Sequence, residues 1–205
     1  MISLIFTAWA ALATAAISPG PNLVAVASRA LGSGRTSALY VVAGLACGAF
    51  FWSFLTAIGL AHVFSLYPTL LQVLGGIGGL YLLWLGFKGW RAALTGTAGQ
   101  IAPVEGQGPK RDFLHGLLVT STNPKVAILW ASLSTFVGPA IETWPRIFLF
   151  SGGSAAIIFA IYAIYGLLFS TGASRSIYHR FQKASEAVFG TVFATLGALM
   201  LGRSL

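Results

Sequence analysis

The chain carries very little charge: four acidic and twelve basic residues among 205, or 8%. Soluble domains carry about 25% charged residues, so an ordinary water-soluble fold is excluded. Cysteine is almost missing as well. The single Cys47 lies in an apolar segment, which leaves no intramolecular disulfide and no thiol cluster for a metal. Glu105, Asp112, Glu142 and Glu186 all fall in or beside loops, and no carboxylate is placed in the apolar core. His62, His115 and His179 are scattered at segment ends and make no His-Glu-x-x-His pattern. A membrane-embedded enzyme would need such a constellation, so no catalytic residues, metal or cofactor are assigned.

What the chain has in quantity is apolar: 57% of residues, with mean hydropathy +0.84. Six segments approach the ~20 residues that a helix needs to cross hydrocarbon. They cover approximately 2–31, 36–61, 67–90, 113–138, 146–171 and 184–202. The first resembles a signal peptide in its small and apolar residues, but it has no Lys or Arg before Arg29 and is read as retained. Twenty-five glycines suit close helix packing in lipid. Gly44-x-x-x-Gly48 and Gly75-x-x-x-Gly79 permit close crossings, either within one chain or in a homodimer.

The net charge of +8 does not point to nucleic acid, because the basic residues sit between apolar runs and form no soluble face. Arg29 and Arg35 fall between segments one and two. Lys88, Arg91, Lys110 and Arg111 fall between three and four, and Arg175, Arg180 and Lys183 between five and six. The other connections hold Arg146 and Arg203 alone. Basic connections face the cytoplasm, so both termini are expected on the periplasmic side. The polar stretch 95–112, rich in Gly and Pro, reads as a flexible cytoplasmic linker between halves 1–94 and 113–205. Three spans per half oblige the second half to enter the membrane inverted. The expected fold is therefore all-α, with six transmembrane helices arranged as two inverted three-helix repeats.

Two of those helices are interrupted. Ser18-Pro19-Gly20-Pro21-Asn22 breaks the first, because proline lacks an N–H and clashes with the preceding turn. Asn123-Pro124-Lys125 breaks the fourth about ten residues, or roughly 15 Å, into the span. Asn is a good N-cap and Pro a good first helical residue, so a new half-helix starts at each break, with Ser18 or Gly20 capping the first. Irregular backbone at this depth persists only inside protein or along a wet cavity. Helix starts expose N–H groups and carry roughly half a positive charge. Two of them converging beside Lys125 make a site for a carboxylate, with the Asn22 and Asn123 amides able to orient it. Trp52 and Trp130 lie deep enough either to wall a cavity or simply to pack.

Pro19-Gly20-Pro21-Asn22 followed by ALGSGR, then GLYLLWLGFK and then Asn123-Pro124-Lys125, resemble in order and spacing the LysE/RhtB amino-acid exporter superfamily. The resemblance covers almost the whole chain. It implies a six-helix bacterial inner-membrane protein that expels a small amino acid or a close derivative. The expected substrate-binding positions are then Pro19, Gly20, Pro21, Asn22, Asn123, Pro124 and Lys125. Many members of that superfamily carry an acidic residue where this chain has Asn22, and end the fourth span in Pro-Gln-Phe where this chain has Ser134-Thr135-Phe136. Both departures bear on substrate choice and ion coupling. Coupling to a proton gradient requires a titrating group, for which Lys125, His62 and His115 are the candidates. A passive channel is the alternative to a carrier.

Overall fold

The computed structural model describes residues 2–18, 20–60, 68–95, 103–137, 141 and 143–171, together with 184, 187–188, 190–191, 193–195, 197–199 and 201–202. Among them every regular element is helical. These are α1 (Ile2–Ile17), α2 (Pro21–Leu55) continued by a π-helical turn (Thr56–Leu60), α3 (Pro68–Thr95), α4 (Pro109–Thr122), α5 (Pro124–Val137) and α6 (Trp144–Phe169). The described residues between 184 and 202 are helical too. Proline opens α2, α4 and α5, where its missing N–H removes a donor that the first turn could not have paired.

The span Pro21–Leu55 of α2 is two helices rather than one. Gly34 has φ 76° and ψ −173°, a left-handed conformation that glycine adopts without strain. Val26 and Ala38 both lie within 3.5 Å of where a Cβ would stand on Gly166, so they are less than about 7 Å apart. Twelve residues of unbroken helix would separate them by about 18 Å. The chain therefore turns back at Gly34, and arm one (21–33) and arm two (35–55) form a hairpin. This matches the expected division between segments one and two.

The contacts also fix which helices run alongside each other. Arm two packs on α4, with Gly44 against Phe113 and Leu117, Gly116 against Val41 and Leu45, and Gly48 against Thr120. Residue numbers rise together on both sides, so the two helices are parallel. The same holds for α1 and α6. The Trp9 indole N–H donates to Ser154 Oγ at 3.2 Å, and eight residues further on Ile17 O accepts from the Tyr165 hydroxyl at 3.0 Å. By contrast α3 runs antiparallel to the last segment, since Gly79 meets Gly197 and Leu201 whereas Gly86 meets Gly190 and Ala194. Gly44 and Gly48 thus serve close packing within the chain.

A core of small, branched and aromatic side chains, among them Ala27, Val41, Val42, Leu45 and Phe150, is shared by both arms of α2 and by α6. The outer surface is equally apolar: Phe6, Phe51, Leu55, Phe87, Leu149 and Ile164 are each more than half exposed. Patches of this extent on a soluble protein are aggregation sites, whereas lipid solvates them. Arm two with its π turn and α6 are both long and apolar enough to cross a membrane.

Two expectations need correcting. Helix α4 begins at Pro109, inside the stretch assigned to the linker, because Pro109 starts a helix with Gly108 as its cap. Asp112 is not a loop residue. It is 1% exposed and pairs with Arg29, itself buried in arm one rather than free in a connection. Residues 96–102 and the calls on Glu142, Glu186, His62, His179, Arg175, Arg180 and Lys183 lie outside the described residues.

A Cβ on Gly44 would overlap the Phe113 carbonyl, and one on Gly116 the Val41 carbonyl. Gly44→Leu and Gly116→Leu should therefore each lower stability by about 3 kcal/mol or more, since overpacking alone costs about 1–3 kcal/mol and backbone must move as well. Gly152→Ala, with open space around it, should be neutral. Thermal unfolding of the three variants in detergent checks the ranking.

Candidate functional site

The two interruptions meet in the interior. At the first, α1 stops at Ile17, whose carbonyl the Tyr165 hydroxyl satisfies, and Gly20 stands extended as the residue before α2. No side chain caps this start. At the second, Asn123 leaves the helix with φ −75° and ψ 111°, and α5 begins at Pro124. Here the cap is complete: Asn123 Oδ1 accepts from the Lys125 N–H at 3.0 Å, and the Asn123 carbonyl accepts from the Val126 and Ala127 N–H groups. The expectation that both helix starts present free N–H groups therefore fails at α5, because the Asn123 side chain takes the Lys125 N–H and the Asn123 carbonyl takes the next two. It stands only for α2.

One hydrogen-bond chain joins the two breaks. With its oxygen engaged by Lys125 N–H, Asn123 turns its Nδ2 outward and donates to Asn22 Oδ1 at 3.0 Å. Asn22 Nδ2 then donates to Thr120 Oγ1 at 3.4 Å. Asn22, Thr120 and Asn123 are 6%, 1% and 5% exposed. In so dry a setting an unmade hydrogen bond is expensive, so the order of donors and acceptors is locked. The Tyr162 hydroxyl lies against Asn22 from α6.

Around this chain opens a small cavity. Ser18, Gly20, Asn22, Thr120, Asn123, Lys125 and Tyr162 give it polar lining, while Leu12, Leu129, Trp130 and Ile158 form much of the apolar wall. Lys125 Nζ stands 3.5 Å from where a Cβ on Gly20 would be, and 5.3 Å from the centre of the Phe193 ring. The ammonium thus sits beside the uncapped start of α2. The lining carries one positive charge and no carboxylate. Such an arrangement suits an anionic group at the Lys125 end with neutral or apolar substituents toward Trp130 and Ile158.

Of the residues singled out from the sequence, Gly20, Asn22, Asn123 and Lys125 line the cavity. Pro21 and Pro124 start the two half-helices at its edge, and Pro19 lies outside the described residues. Trp130 both walls the cavity and packs edge-on against Phe150, whereas the half-buried Trp52 packs on the core. His115 lies on α4 away from the lining residues. Thr120 and Tyr162 were missed. For Thr120 a signal existed, since a hydroxyl three residues before Asn123 shares its helix face. Tyr162 had none, because only the fold brings α6 against the breaks.

Comparison with known proteins adds the following. Residues 13–204 match the family model described as LysE type translocator. The threonine efflux protein of Escherichia coli (strain K12) is 33% identical over 203 residues, 96% of this chain and 97% of that protein. The homoserine/homoserine lactone efflux protein of Salmonella typhimurium is 26% identical over 185 residues, covering 90% and 89% of the two chains. An uncharacterized membrane protein of Haemophilus influenzae is 28% identical over 192 residues, 90% of each. No solved structure matches.

Thr120→Val keeps the shape of the side chain but strands the Asn22 amide. It should lower stability by about 1–3 kcal/mol, the cost of an unsatisfied buried donor, whereas Thr120→Ser should retain most of it. Thermal unfolding in detergent distinguishes the two.

Proposed function

The chain belongs to the LysE type translocators, and on that premise we propose that it is a secondary active exporter of a small amino acid, or an amino-acid-like metabolite, with an uncharged side chain. It works by alternating access in the bacterial inner membrane. The observation that carries this reading is the Asn22–Asn123 hydrogen bond, which ties two interrupted helices together beside a lysine in a cavity. The substrate carboxylate sits between Lys125 Nζ and the uncapped start of α2. Its ammonium group is received by side-chain oxygens of the Asn22, Thr120 and Tyr162 set, and its side chain lies along Leu129, Trp130 and Ile158. Relatives named for efflux of threonine, homoserine and homoserine lactone support a substrate of this size and charge.

The membrane arrangement belongs to the same proposal. Helix α1 with arm one makes the first span, arm two the second, α3 the third, α4 with α5 the fourth, α6 the fifth and residues 184–202 the sixth. Support comes from helix direction. Spans two and four are parallel, spans one and five are parallel, and spans three and six are antiparallel. Alternate crossing requires these directions, and exchanging the halves maps each packed pair onto another such pair. The hairpin tip, Arg35 and residues 103–111 then face the cytoplasm, and the proton gradient drives export.

In vesicles loaded with single amino acids, the protein should release threonine-sized neutral amino acids, retain lysine, and lose net export when an uncoupler collapses the proton gradient. Lys125→Ala and Asn22→Ala should insert normally and export at least about tenfold more slowly, since a lost charge-assisted hydrogen bond is worth about 1.5–3 kcal/mol. Full-rate efflux by both variants would overturn the assignment.

A further inference from the structure

Seven residues past Asn22, about 10 Å along arm one, a second polar assembly lies toward the hairpin tip. Arg29 Nε stands 3.5 Å from Asp112 Oδ1, with the two side chains 5% and 2% exposed. The Ser37 hydroxyl donates to Asp112 Oδ2 at 2.5 Å and the Gln107 N–H to Oδ1 at 3.1 Å. Val104 N–H donates to the Ser28 carbonyl at 3.0 Å, and Gly106 N–H to Ser33 Oγ. Residues 104–107 are thereby strapped across the tip. The assembly joins the first half of the chain to the first turn of α4 in the second.

The carboxylate is well satisfied, but the guanidinium is not. Arg29 makes its one 3.5 Å ion pair, and Nη1 is buried with no hydrogen-bond partner among the described residues. Two apolar side chains of similar volume would hold the helices together as well or better, because desolvating both ions offsets much of their attraction. Mere cohesion therefore does not account for this pair. Its position does offer a reason. Beyond it, arm two and α4 are in backbone contact at Gly44 and Gly116, between the tip and the cavity residues Ala49 and Thr120. A junction that must part repeatedly gains from groups that water accepts readily once separated, and charged side chains meet that requirement.

We propose that Arg29 and Asp112, with residues 104–107 strapped over them, form the inner gate of the transporter. The pair separates to load substrate from the cytoplasmic face and re-forms before release on the other side. This rests on the exporter reading and orientation proposed above, so the test must separate the two claims.

In a Cys47→Ser background, Ala49→Cys places a thiol on the cavity wall, and a membrane-impermeant maleimide is applied to inside-out vesicles. Thr36→Cys and Arg111→Cys, exposed neighbours of Ser37 and Asp112, are bridged in a second protein by a short bis-methanethiosulfonate. Asp112→Asn should raise labelling of residue 49 about tenfold, as expected when roughly 1.4 kcal/mol is removed from the closed state. Bridging should suppress labelling and stop efflux, with a reductant restoring both. If Asp112→Asn fails to insert, the bridged protein decides alone. Undiminished efflux and labelling through the bridge would overturn the gate while leaving the exporter reading intact. Labelling that follows the bridge, in a protein that exports no amino acid, would remove the exporter reading and leave the gate.

Discussion

Two stretches of backbone leave the helix in the middle of an apolar molecule, and their polar groups must be satisfied without water. Each unsatisfied group at membrane depth costs several kcal/mol. The chain meets this with few residues. Pro21 and Pro124 remove one donor apiece at the helix starts. Tyr165 takes up the last carbonyl of α1, and Asn123 caps α5 with its own side chain. What is left over is the start of α2, where Gly20 supplies no cap and Lys125 stands alongside. In the exporter proposed above, the ligand site is the remainder of this accounting.

The two halves of the chain solve the same problem with different residues, and the difference has a function. Gly20 brings no side chain to its helix start, whereas Asn123 brings an amide that closes its own start and reaches across to Asn22. Identical caps would leave either two open helix starts or none. One capped and one open start leave a single pole of positive potential, to which the Lys125 ammonium adds. In the proposed exporter this single pole receives the substrate carboxylate.

Much of this was legible in advance, because proline and glycine act locally. The breaks at 18–22 and 123–125 follow from residues that cannot do otherwise in a helix, and the segments that hold α3 and α6 were legible as apolar runs. The lysine beside the second break and the asparagines flanking both were legible for the same reason. What escaped was long-range. Asp112 reads as a linker acid because its neighbours are Lys110, Arg111, Gly and Pro, and only tertiary packing shows Arg29 waiting for it. The capping of α5 was misjudged from chemistry already in view: an Asn good enough to start a helix is good enough to consume the N–H groups that the start exposes. Tyr162 needed the fold itself.

The charge of the cavity lining bears directly on what fits inside. With Lys125 as its one charged residue and no acid among the lining residues, the cavity offers a second cation on a substrate no counter-charge. Leaving that cation desolvated and unpaired costs several kcal/mol, or more than a hundredfold in affinity. A neutral side chain of similar length meets Trp130 and Ile158 instead and gains roughly 0.8 kcal/mol for each buried methylene. Discrimination against basic amino acids therefore exceeds anything that one or two methylenes of fit would provide. In the exporter proposed above, the pocket selects charge first and size second, with Lys125 holding the carboxylate.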